Sequence, residues 1–292
     1  AIGRFHYKSL ADKVPEEHRP IGTVWEVDVF KGRIIFRTEF KLFAWDGENM
    51  KVISSEQGYH VGKIVNGKYY LRIWGRGLCE LMDDDTFEVV PNGEQFADIR
   101  IYSILPYDDE RILIGTRMDG LFIYDGKTFE PFKTEADKFI KGNLYLPGAA
   151  LKDGKFVLNT FSDGAYVINK DGKLIQKYNI SNGLQDGSID YVYVDSRGVL
   201  WMMLFNGISN VNLNSTFTIL DNNMGLPTKV VFGVKRFNNI LYLSTNNGLY
   251  YLDEESGIIK PIIGTHGQGG NFIEHKGRLY VGTGGMGLIE IT

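Results

Sequence analysis

"RILIGTRMDGLFIYDG", residues 111–126, is an apolar run, a polar turn containing glycine, a second apolar run and an Asp-Gly pair, which together spell a β-hairpin. The pattern returns at the far end of the chain as "RLYVGTGGMGLIEIT", residues 278–292. In the first hairpin Gly120-Leu121 opens the second strand. The same place is held by Gly77-Leu78, Gly164-Ala165, Gly207-Ile208, Gly248-Leu249 and Gly287-Leu288, and a seventh copy, "RIIFRTEFKLFAWDG" (33–47), puts Lys41 there. The steps between these positions are 36, 43, 44, 43, 41 and 39 residues, a mean of 41. A period of that size makes the chain a repeat array.

Each unit holds more than the hairpin. An alternating segment precedes it, as in "IRIYSILPY" (99–107) or "IDYVYVD" (189–195), and a short one follows, as in "TFEPF" (128–132), "LIQKY" (174–178) or "TFTIL" (216–220). Four short strands in about 40 residues predict a propeller blade, and seven copies predict an all-β, seven-bladed β-propeller of four-stranded antiparallel blades. Asp-Gly, Asn-Gly and Lys-Gly pairs at 46–47, 66–67, 125–126, 153–154, 171–172 and 276–277 supply the tight turns. The last copy stops at Thr292, after its third strand, while "GRFHYKSL" (3–10) reads as a strand with Tyr7 where Tyr178 stands in "IQKYNISNG". Residues 4–9 are therefore expected to complete the last blade and close the ring, leaving residues 1–292 as one domain.

Composition narrows the function. A net charge of −4 with no long basic run argues against nucleic acid as a partner. The 35 glycines and the 18 Phe and 16 Tyr residues suit short strands joined by tight turns. Cys79 is the only cysteine, so no internal disulfide forms and an oxidising compartment is neither required nor forbidden. No 18-residue apolar stretch spans a membrane. A chain beginning at Ala1, with no signal peptide, is read as processed or as a piece of something larger.

The stretch "NGLQDGSIDYVYVDSRGVLWMMLFNGISNVN" (182–212) resembles the two-component regulator propeller repeat family through Gly183-Leu184, Asp195, Gly198, Leu200-Trp201 and Gly207-Ile208. "NMGLPTKVVFGVKRFNNILYLSTNNGLYYLD" (223–253) resembles it again through Gly225-Leu226-Pro227, Thr245 and Gly248-Leu249, while the other five copies keep mainly the hairpin core. The resemblance implies the N-terminal, extracytoplasmic sensor region of a bacterial regulator. It implies a periplasmic or cell-surface position, with a cytoplasmic one left open by the lack of disulfides. Downstream would follow an immunoglobulin-like module, a membrane helix and an output domain, and the ligand would be an oligosaccharide or other small molecule. Large members of the family carry about twice as many repeats, and no glycan-specific residue transfers to this chain.

Catalytic signals are poor. The five histidines (6, 18, 60, 266, 275) have no ligand spacing, and only His60 and His266 fall at the start of inner strands. The acidic clusters at 83–85, 108–110 and 253–255 read as turns rather than calcium loops. Neither "GTHGQGGNF" (264–272) nor "GTGGMG" (282–287) precedes a helix, so neither is a phosphate loop, and Trp45-Asp46 occurs once only. No metal or cofactor is expected. An enzyme would need two carboxylates on one cleft, with Asp98, Asp119 and Asp163 to draw on.

In a propeller the loops entering each inner strand and those joining the second strand to the third share one face, where a rigid scaffold presents binding residues. The candidate ligand-binding residues there are Trp25, His60, Trp74, Arg76, Arg100, Arg117, Asp119, Tyr145, Phe161, Asp163, Phe205, Asn206, Asn246 and Asn247. Aromatic planes stack on sugar faces while Asn, Asp and Arg give directed hydrogen bonds. Trp74 with Arg76, in a glycine-rich turn, is the strongest local pair. The expected function is a non-enzymatic ligand-sensing domain. A glycan-acting propeller lyase or hydrolase, or a platform for protein partners or a homodimer, is the alternative.

Overall fold

A computed structural model describes residues 7–145, 147–213, 220, 222–227, 230–253 and 256–291. The chain forms two compact units, residues 1–214 and 215–292. Among the described residues, helix is confined to one short α-helix, α1 (Asp137–Ile140), and a few 3-10 turns.

The first unit holds five antiparallel sheets, each an up-and-down meander in chain order. Sheet one is β1 (Glu26–Phe30), β2 (Arg33–Arg37), β3 (Lys41–Trp45) and β4 (Met50–Ser54). Sheet two is β5 (Tyr59–Val65), β6 (Lys68–Ile73), β7 (Gly77–Leu81) and β8 (Phe87–Val89); sheet three is β9 (Ile101–Pro106), β10 (Ile112–Thr116), β11 (Leu121–Tyr124) and β12 (Phe129–Phe132). Sheet four is β13 (Ala149–Ala150), β14 (Phe156–Asn159), β15 (Ala165–Ile168) and β16 (Leu174–Tyr178). Sheet five has three strands, β17 (Ile189–Val194), β18 (Val199–Leu204) and β19 (Gly207–Asn212). Its expected fourth strand, "TFTIL" (216–220), lies outside the described residues except for Leu220. The second unit holds β20 (Val231–Phe237), β21 (Ile240–Thr245), β22 (Gly248–Asp253) and β23 (Ile258–Pro261), then a three-stranded sheet of β24 (Gly269–His275), β25 (Arg278–Thr283) and β26 (Gly287–Ile291).

In the first unit the leading strands of successive sheets, β1, β5, β9, β13 and β17, lie beside one another, so the sheets fan out face to face like propeller blades. That packing explains the sequence pattern. In β6 the side chains of Tyr69, Leu71 and Ile73 pack with sheet one, among Phe30, Ile35 and Leu42. Tyr70 points the other way, to Ile104, Ile112 and Ile114 of sheet three. With both faces covered, the strand reads as a continuous buried run rather than as an alternation. The next interface repeats the arrangement with Leu105 and Leu113 against Phe156, Leu158 and Tyr166, and the one after it with Val157 and Val167 against Val192, Leu200 and Met202.

The repeated glycine has a physical cause. All six glycines of the series take positive φ, from +79° to +122°. At Gly164 a Cβ would lie 1.8 Å from the Tyr178 carbonyl oxygen, and at Gly77 2.1 Å from that of Gly93. At these two turns the hairpin is pressed against the backbone that follows it and only glycine fits, while across the series the positive φ is what favours glycine. A threonine four or three residues earlier locks the same turn. Thr116, Thr160, Thr245 and Thr283 each donate Oγ1 to the carbonyl of the glycine, at 2.8–3.1 Å. In sheet one Thr38 makes this bond to Lys41 at 3.0 Å.

The N-terminal expectation needs correction. Residues 7–9, the described part of the closing segment, are not in a strand, and Tyr7 is 96% exposed. Lys8, Leu10 and Val14 instead border a small apolar hollow with Phe36, Phe43 and Met50 of sheet one. The short Leu10 and Val14 side chains find apolar surface there, which favours that placement over a solvated edge strand.

Candidate functional site

One position recurs on the turn face of the first unit: the residue just after the locking threonine or its equivalent. It is Trp74, Arg117, Phe161 and Phe205 in sheets two to five. Its N–H donates to a carbonyl of the segment leading into its own sheet: Gly58, Arg100, Asn143 and Ser188 respectively, at 2.9–3.2 Å. The same backbone bond thus recurs from sheet to sheet while the side chain is free to vary. Such a position can change its side chain from sheet to sheet without disturbing the fold.

A cleft of about 980 Å³ opens where the leading strands converge, and all five sheets of the first unit contribute to it. Of the residues expected from sequence, Trp25, His60, Trp74, Arg100 and Tyr145 line it. Rings run along one side in an unbroken row. Trp74 meets His60 at 5.1 Å between centroids, His60 meets Tyr102 at 5.2 Å, Tyr102 meets Tyr145 at 5.8 Å, and Tyr145 meets Phe161 at 5.2 Å. Edge-to-face and tilted contacts of this kind hold ring planes in fixed orientations. Trp25, just ahead of β1, is 68% exposed.

Two guanidinium groups attend the indole of Trp74. Arg72, fully buried on β6, lies 3.6 Å from the ring centre and donates to the carbonyls of Phe96 (3.1 Å) and Ala97 (2.5 Å). Arg100 is exposed and 5.6 Å away. Burial pushes the Arg72 guanidinium down to about 10, with Asp98 pulling the other way and Arg100 adding to the drop. Burial also drives His60 down to about 4, helped by the positive charges of Arg72, Arg100 and Arg37, so its imidazole is neutral at pH 7.

The floor is a charge cluster that sequence reading missed. Arg37 donates to Glu26 at 3.4 Å and to the His60 carbonyl at 3.1 Å, and Lys63 reaches Glu26 at 3.2 Å and Asp28 at 3.9 Å. Burial raises Glu26 above the ordinary carboxylate value despite Lys63 and Arg37. Burial opposes the Lys63 charge as well, but Glu26 and Asp28 outweigh it and hold the ammonium above its usual value. The available signal was alternating charge on leading strands, Glu26 and Asp28 on β1 and Lys63 on β5. Tyr102 and Tyr191, which also line the cleft, looked like ordinary strand residues.

The remaining expected residues lie elsewhere. Arg76 donates to the Phe87 carbonyl at 2.7 Å and ties β8 to the turn. Arg117 turns its Nε toward the Gly142 carbonyl at 3.5 Å. The amides of Asp119 and Asp163 bond the locking threonines Thr116 and Thr160, and the Asp163 carboxylate takes bonds from Tyr166 and Lys177. Phe205 and Asn206 are exposed in their turn and do not line the cleft. Asn246 and Asn247 form the equivalent turn of the second unit, where the Asn247 amide bonds Thr245 Oγ1. The acidic turns are structural: Asp108 accepts from the amides of Glu110 and Arg111, and Asp85 from Arg33 and Lys51. Among the described residues no group of three His, Cys, Asp or Glu could hold a metal, and no helix is long and apolar enough to cross a membrane.

No family model matches the chain, and no curated protein matches it. Solved structures do. A protein described as the extracellular domain of a hybrid two component system, BT3049 from B. thetaiotaomicron, is 17% identical with a TM-score of 0.57, over 92% of this chain and 39% of its own. A second, the corresponding domain of BT4673 from the same organism, is 18% identical with a TM-score of 0.52, over 88% and 38%. A virginiamycin B lyase from Staphylococcus aureus, 12% identical, aligns over 88% of this chain and 90% of its own at a TM-score of 0.47, too slight a likeness to argue from. The chain thus shares the propeller-like, all-β fold of the two sensor-system domains and spans about two fifths of their length.

Proposed function

We propose that this chain is the extracytoplasmic ligand-sensing domain of a bacterial two-component-type sensor or regulator, and that its cleft takes an oligosaccharide or another small ring-shaped molecule. The row of five rings from Trp74 to Phe161 beside a cleft of about 980 Å³ carries this reading. Stacking surfaces of fixed orientation next to charged hydrogen-bonding groups are what a polar ring needs. The likeness in fold to extracellular domains of two-component systems supports it. In the intact receptor the ligand would act by binding one docking or homodimer arrangement more tightly than another, passing the difference through an immunoglobulin-like module to the output domain. Titrating a saccharide panel against the wild-type chain and Trp74→Ala tests the site. Binding by the wild type, weakened at least about tenfold in the variant, is expected; equal binding by both moves the site elsewhere.

An enzyme acting on glycans is the second reading, and Glu26 favours it, since a carboxyl in a cleft that burial raises above its ordinary value is a candidate general acid. Its two partners, Arg37 and Lys63, argue for a structural charge instead. Product formation from any bound saccharide, abolished in Glu26→Gln, would decide for the enzyme.

A further inference from the structure

The cleft is not evenly charged, and the unevenness narrows the ligand. Of the carboxylates of its floor, Glu26 is engaged by Arg37 and Lys63, and Asp28 is offset by Lys63 at 3.9 Å, with its Oδ2 lacking a hydrogen-bond partner. At the Trp74 corner the balance is reversed. Arg72 and Arg100 both stand at the indole, and among the described residues neither has a carboxylate within ion-pair distance. Glu39 and Asp190 line the same cleft without pairing with either guanidinium.

Arg72 is fully buried, its Nε and one Nη satisfied by the Phe96 and Ala97 carbonyls, and its other Nη has no hydrogen-bond partner. The charge that favours it is that of Asp98, which is exposed and forms no ion pair with it. His60, wedged against the same indole, is neutral and brings no negative charge. A buried cation lacking a counter-charge is costly unless something supplies one. Arg100 is exposed beside it with its fork of N–H donors uncommitted, the arrangement suited to planar, bidentate recognition of an oxyanion.

We infer that the ligand is an acidic saccharide, whose carboxylate or sulfate is bound by Arg100 in the field of Arg72 while its ring lies along Trp74, His60 and Tyr102. This rests on the saccharide reading of the cleft and adds the charge of the ligand to it. Neutral sugars of the same shape would leave Arg100 in water and Arg72 uncompensated.

The test titrates the chain calorimetrically with four probes: a galacturonate disaccharide, a glucuronate-containing disaccharide, a 6-sulfated galactose disaccharide and neutral galactose disaccharide. At least one acidic probe should bind about tenfold or more tighter than the neutral one, and its affinity should fall as salt rises. Which acidic probe wins separates carboxylate from sulfate. Arg100→Gln should remove roughly ten- to hundredfold of the acidic affinity and lower any neutral binding by a clearly smaller factor, and Arg100→Lys should fall between. Arg100 is exposed, so both variants fold, which their melting curves check. Neutral and acidic probes binding alike, or acidic binding indifferent to Arg100→Gln, would overturn the inference and leave the saccharide site standing. No binding by any probe would overturn both.

Discussion

Replacing Gly164 by alanine probes the feature that defines the repeat. Gly164 sits at φ +80°, and its N–H donates to the Gly187 carbonyl at 2.8 Å. An added Cβ would fall 1.8 Å from the Tyr178 carbonyl oxygen and 3.0 Å from Asn179 Cα, all backbone that no side-chain rotation can relieve. The left-handed backbone alone costs about 1–2 kcal/mol for a residue with a Cβ. Pushing the following strand aside adds about 1–3 kcal/mol. Gly126, at φ +92° with nothing within 4 Å of an added methyl, isolates the first cost. By scanning calorimetry Gly126→Ala should lower the transition of the larger unit by roughly 3–5 °C, and Gly164→Ala by roughly 6–12 °C. Equal shifts for the two variants would refute the close approach of turn and strand as a constraint on Gly164 beyond its positive φ.

Two pH predictions follow from the charged groups. His60 is held at about 4 by burial and three arginines, below its unfolded value, so the unfolded chain takes up the proton first. Its contribution to stability is complete above about pH 6.5 and is lost as pH falls toward 4; His60→Phe should flatten that slope in urea titrations, and an unaltered slope would refute the assignment. Asp85 is held at about 2 by its bonds to Arg33 and then Lys51, which tie the turn after β7 to sheet one. That stability is present above the ordinary aspartate value, about 3.9, and is lost as pH falls through 2. Asp85→Asn keeps a residue tolerant of the local φ of +66° and should cost about 1–2 kcal/mol at pH 7 and only a small fraction of that at pH 2, measured by urea unfolding at both; the same cost at both pH values would contradict the ion pair.

Much of the fold was legible because turn chemistry repeats more faithfully than strand composition. The positive φ at Gly77, Gly120, Gly164, Gly207, Gly248 and Gly287 forces the same residue into every copy, so counting glycines located the second and third strands of each sheet. Lys41 escaped the rule because its backbone is not in the left-handed region, so a side chain is tolerated, and that side chain reaches away to the His18 carbonyl. The N-terminal segment misled because "GRFHYKSL" alternates like a strand, while Lys8 and Leu10 settle beside Phe43 and Met50. At the site, aromatic residues in turns were visible as exceptions, which brought out Trp74, His60, Tyr145 and Phe161. Asp119, Asp163 and Asn247 looked equally eligible, yet each belongs to a turn locked by a threonine, a role that residue type alone does not separate from binding. Tyr102 and the floor charges were hidden by lying on strands, where the side of the sheet decides between core and cleft.

The most direct test of the cleft as the sensing site is where a bound saccharide protects the chain from hydrogen exchange. With the tightest-binding probe of the disaccharide panel, protection should concentrate at residues 59–61, 72–74, 100–102, 145 and 161, the segments that carry the ring row and the two arginines. Protection confined to the outer turns of the sheets, or none at saturating probe, would contradict that placement.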